Sequence, residues 1–99
     1  MRHSPCANRL TVIGSRHGVQ RLQDSAWEQI LHARHLEPLE FSPSRFVCLF
    51  QTDAPDLMRL QTLSRRWPGL VLLLDYELRR IKGLARASDG GLEHCEIGY

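Results

Sequence analysis

From Asn8 to Ile13 (NRLTVI) the residues alternate in part and are partly β-branched, and Gly14-Ser15 punctuates their end, which predicts a first strand. Val19, Leu22, Ala26 and Ile30 then recur at helical spacing, with Trp27 and Leu31 beside them. That pattern predicts a helix over residues 16–34. Ser15 is placed to cap it, because its hydroxyl can accept from an early amide. Two extended pieces follow, Pro38 to Phe41 and Arg45 to Thr52, split by the turn-forming Ser42-Pro43-Ser44. Asp53 is expected to cap a second helix, with Pro55 in its first turn and Leu57, Leu60, Leu63 and Trp67 as its apolar stripe. Pro68-Gly69 stops it. Leu70 to Glu77 (LVLLLDYE) is a nearly unbroken apolar run and predicts a strand buried on both faces. Ile81 to Ala87 and Leu92 to Ile97 flank Ser88-Asp89-Gly90-Gly91 and predict a closing hairpin.

The order is β-α-β-β-α-β followed by a hairpin, in one domain over residues 1–99. The expected fold class is α+β: a ferredoxin-like βαββαβ plait with two helices on one face of an antiparallel sheet. LVLLL is too apolar for an exposed fourth strand at the sheet's edge, so the hairpin is placed beside it.

Composition narrows the setting. The chain has 99 residues, of which 42% are hydrophobic and 24% charged, which suits one small globular core. No window has the apolar length of a membrane span, and MRHSPCANR lacks the apolar run of a secretory signal, so a cytoplasmic setting is expected. Cys6, Cys48 and Cys95 are odd in number and widely spaced, which favours reduced thiols over a disulfide framework. The net charge is +2 and the sequence pI near 8.6, with the cations dispersed apart from Arg65-Arg66 and Arg79-Arg80-Lys82.

Several segments, taken in order, resemble one family. PCANRLTVIG, FQTDAP, LSRRWPGL, DYE and KGLARA are similar to the YubB-type ferredoxin-like domains of bacteria, plasmids and phages. The likeness covers residues 5–14 and much of 50–87. Pro5 stands where the family usually has Trp, and the middle, around Glu37 to Arg45, is shorter. The resemblance implies the plait and brings no activity or catalytic residues with it.

Candidate chemistry is sparse. Cys48 sits mid-strand and is read as core. Cys6 has His3 near it in sequence, with nothing to fix their geometry. Cys95 neighbours His94 and Glu96, but alternate residues of a strand share a side, so only His94 and Glu96 face together. His32 and His35 are best read as framing a helix end, and Asp53 and Asp56 as caps. No cofactor, metal or catalytic residue is expected, and the chain is not read as an enzyme.

Two binding surfaces are expected instead. IKGLARASDGG opens like an RNA-recognition strand, yet Leu84, Arg86 and Ser88 occupy its aromatic positions, so base stacking is ruled out as the main term. Phosphate contacts through Arg79, Arg80, Lys82 and Arg86 stay open as the alternative, without sequence specificity. The leading surface follows from strand alternation. Leu10, Val12, Phe46, Cys48, Phe50, Leu70, Leu72, Leu74 and Tyr76 face one way. Thr11, Ile13, Val47, Leu49, Val71 and Leu73 face the other. Both faces are apolar and two helices cover one, so the second is expected to meet a second copy or another protein, or to lie beneath the final hairpin.

Overall fold

The computed structural model describes residues 5–98. It is an α+β fold with one six-stranded antiparallel sheet and three helices. In chain order these are β1 (Cys6–Ile13), α1 (Arg16–Gln23), α2 (Trp27–Ile30), β2 (Arg34–Ser42), β3 (Arg45–Thr52), α3 (Leu57–Arg66), β4 (Val71–Leu78), β5 (Ile81–Ser88) and β6 (Gly91–Gly98). The strand order is β2-β3-β1-β4-β5-β6, so β1 is central and β4 is flanked on both sides. None of the helices described is long and apolar enough to cross a membrane.

The core lies between the helices and one face of the sheet. Leu10, Val12, Phe46, Cys48, Phe50, Leu72, Leu74, Tyr76, Ala85 and Ala87 from the strands meet Val19, Leu22, Trp27, Leu60 and Leu63 from the helices. Ala85 and Ala87 are fully buried, and their small side chains let β5 pack closely under the helical layer.

Three expected boundaries change. The helix expected over residues 16–34 is two helices. The Asp24 amide closes α1 onto the Gln20 carbonyl, and the Ser25 hydroxyl donates to the Leu22 carbonyl at 2.6 Å. The resulting bend turns Trp27 inward, edge-on to Phe46 and Phe50 at 5.6 and 5.8 Å. His32 follows α2 with φ of 54°, the left-handed geometry that ends helices, and β2 starts at Arg34. The second strand was expected only from Pro38, because nearly all of β2 is exposed and carries no apolar period.

The cap of α3 also moves. Asp53 pairs with Arg34 at 2.8 Å and stays outside the helix. Asp56 is the cap, accepting from the Arg59 amide at 3.0 Å. Ala54 precedes Pro55, where the proline ring disfavours helical geometry, so the helix starts later. Ser15 caps α1 as expected, accepting from the Gly18 amide at 3.1 Å. Finally, β4 is buried on one face only: Leu72, Leu74 and Tyr76 are covered, while Val71 and Leu73 are half-buried on the other.

The final hairpin continues the sheet beyond β4 and does not fold over its second face. Asp89 and Gly90 form its two-residue turn with φ of 49° and 84°, the pair of positive values that suits a right-twisted hairpin. That turn is tied to α3. The Gly90 amide donates to the Ser64 hydroxyl at 2.9 Å, Gln61 donates to the Gly90 carbonyl at 2.7 Å, and the Gly69 amide donates to Asp89 at 2.9 Å.

Candidate functional site

The helix-free face of the sheet is organised by register. One row across it runs Val47, Thr11, Leu73, Arg86, Glu93, and the next runs Leu49, Arg9, Asp75, Leu84, Cys95. Beyond them lie Gln51, Ala7, Glu77, Lys82 and Ile97 on one side, and Arg45, Ile13 and Val71 on the other. Thr11 and Val47 are buried, at 6% and 5% exposed. Ile13, Leu84 and Ile97 protrude, at 39%, 51% and 61%. Thr11, Ile13, Val47, Leu49, Val71 and Leu73 therefore share one continuous face. Leu84 and Ile97 extend it. The alternation of β5 was the signal for Leu84, which sequence reasoning treated only as a missing aromatic position.

The four cations proposed for phosphate contact do not form one patch. Arg79 and Arg80 make the β4–β5 turn, with Arg79 at φ of 56°. Lys82 and Arg86 lie on the helix-free face, where Lys82 stands opposite Glu77 and Arg86 opposite Glu93. Arg9 pairs with Asp75 at 3.2 Å between them. Arg9, Asp75, Glu77 and Lys82 line a shallow cleft of about 280 Å³ with Leu49 and Ala7. Basic and acidic side chains alternate across the rows, so the face presents laddered charge instead of a basic stripe.

The opposite, helix-bearing face holds a polar cluster at its β5–β6 end. The Tyr76 ring crosses Gly83, where a Cβ would overlap its phenol end. Its hydroxyl donates to Glu96 at 2.5 Å and lies 2.5 Å from Nε2 of His94. With the phenol proton committed to Glu96, Nε2–H of His94 is the donor to the phenol oxygen. Burial, followed by the adjoining Glu96 carboxylate, raises the pKa of Tyr76 far above the usual phenol value. His94 and Glu96 do share a side, as strand alternation requires.

The thiols are apart from one another. Cys6 and Cys48 are buried, and burial pushes both above the ordinary thiol value, which disfavours the nucleophilic thiolate. Asn8 binds the Cys6 carbonyl at 3.1 Å and the Thr52 hydroxyl at 3.0 Å, so the polar groups around Cys6 hold the β1–β3 end together. His3, the imidazole near Cys6 in sequence, lies outside the described residues. Cys95 is exposed on the helix-free face, away from the side that His94 and Glu96 share. His32 sits 3.4 Å from the Arg59 guanidinium, and His35 lies in β2, so the two share no helical face.

A cleft of about 630 Å³ runs between the α1–α2 bend and the end of α3. Arg21 stacks over Trp67 at 5.5 Å there, with Arg66, Gln29 and Ser25 around them. Its lining contains no carboxylate, thiol or imidazole. Comparison with known proteins finds no matching family model, no matching curated protein and no matching solved structure.

Proposed function

We propose that the chain is a non-catalytic protein-interaction or assembly module that works through the helix-free face of its sheet. The observation that carries this reading is the apolar band on that face, where Ile13, Leu84 and Ile97 protrude beside half-buried Leu49, Val71 and Leu73, with Thr11 and Val47 buried among them. Exposed apolar surface of this continuity is costly to leave in water and marks interaction sites. Its laddered charges give a partner orientation, since complementary polar groups set register more than raw affinity. The strand order β2-β3-β1-β4, with helices after β1 and β3, supports reading the first four strands as a ferredoxin-like plait of the YubB type, widened by β5 and β6.

Phosphate binding through Arg79, Arg80, Lys82 and Arg86 is the weaker reading, because Glu77, Asp75 and Glu93 stand among those cations. The test is a photo-crosslinking residue placed in vivo at Leu73, with Gln20 on the exposed side of α1 as the control site. Protein adducts at position 73 and not at 20 support the module. Absence of adducts at 73, together with a strict monomer at millimolar concentration, sinks it.

A further inference from the structure

We propose that β6 pairs antiparallel with the β6 of a second copy, continuing the sheet across a two-fold axis at Cys95. This contact uses the edge of the sheet and goes beyond the face-binding role proposed above.

The two sheet edges differ. β2 carries Pro38, a left-handed His35 and two register shifts, all of which obstruct strand addition. β6 is eight residues long, exposed for almost its whole length, and in unbroken register with β5 from Gly91 to Gly98. It has no proline, no bulge and no lysine.

The register follows from two conditions. Counting from the Ser88–Gly91 pair that closes the two-residue turn, antiparallel alternation points the peptide groups of Leu92, His94, Glu96 and Gly98 away from β5. A two-fold axis perpendicular to the sheet keeps each face on its own side, so paired residues must share a face. Centring on Cys95 sets Leu92 against Gly98 and His94 against Glu96 of the second copy, and uses all four outward residues. Centring on His94 leaves Gly98 out and sets imidazole against imidazole. Centring on Glu96 sets carboxylate against carboxylate.

The Cys95 register also avoids facing like groups. It places each His94 opposite a Glu96 twice over, on the side where Tyr76 of the same copy already holds the His94 and Glu96 side chains in position. On the other side Cys95 meets Cys95 and Glu93 meets Ile97, next to Leu84, so the apolar band runs on across the axis. Pairing one strand edge buries less than the roughly 1,200 Å² of a stable interface, so the dimer forms at high concentration and is weak alone.

Register-specific cross-linking tests the proposal. On a Cys95→Ser background, Glu93→Cys and Ile97→Cys proteins are mixed and mildly oxidised. Opposed non-hydrogen-bonded residues lie about 4.5 Å apart at Cα, within disulfide reach. The mixture is expected to cross-link several-fold faster than either protein alone, and the added substitution Leu73→Lys should leave that preference unchanged. Equal rates in mixed and separate samples overturn the edge pairing. So does loss of the preference on Leu73→Lys, which would place the contact on the sheet face.

Discussion

Tyr76 lies across Gly83, and its hydroxyl reaches over that residue to Glu96 on the next strand. The glycine of the Lys82-Gly83 pair is thus explained by ring packing on the helix-bearing side. Gly83→Ala should cost roughly 1–3 kcal/mol, the usual range for overpacking a filled site. A lower urea midpoint with an unchanged m-value would report it. A neutral result would mean that the ring moves aside freely.

Stability should fall in alkali. The folded-state pKa of Tyr76 is raised, chiefly by burial, and those of Cys6 and Cys48 are raised for the same reason. In each case the unfolded chain gives up its proton first, so stability is fully present below the ordinary thiol and phenol values and declines above them. Each such group contributes a slope of up to about 1.4 kcal/mol per pH unit between its unfolded and folded values. Unfolding free energies measured from pH 8 to 11 should drop, and Tyr76→Phe should flatten the part of the curve above pH 10.

The turn clamp gives a third expectation. Ser64 is fully buried, accepts from the Gly90 amide and donates to the Gln61 carbonyl at 2.7 Å. Ser64→Ala should cost about 1–3 kcal/mol, since it leaves a partly buried amide without its acceptor. Amide exchange at Gly90 should accelerate with it.

Arg79 holds a left-handed φ of 56° in the β4–β5 turn. A side chain there costs more than glycine would, so Arg79→Gly should raise stability by about 0.5–1 kcal/mol despite the added chain entropy. The same substitution removes a cation of the alternative phosphate site. Unchanged photo-adducts at position 73 in this variant would separate the sheet face from charge-driven binding.

Strand alternation was legible wherever burial was one-sided. The division of Leu10, Val12, Leu72 and Tyr76 from Thr11, Ile13, Val71 and Leu73 follows from period two alone, and the structure keeps it. β2 was only half legible, because an exposed edge strand has no apolar period to read. The α1–α2 bend was hidden, since Ala26, Trp27 and Ile30 fit a continuous helix and only the Ser25–Leu22 hydrogen bond and the aromatic contacts of Trp27 select the break. The reach of Tyr76 to His94 and Glu96 spans two strand spacings. It could not be seen before the order of β4, β5 and β6 was known.

The clasp between the β5–β6 turn and α3 has a consequence for biosynthesis. Ser64 and Gln61 are translated well before Gly90, and β4 before the strand that flanks it on its outer side. Until the last two strands leave the ribosome, the apolar run Val71 to Leu74 is an open edge, the kind of surface that captures other chains. Completion of the final hairpin closes that window. A ribosome-stalled chain ending at Leu78 should therefore depend on chaperones far more than one that includes Gly98.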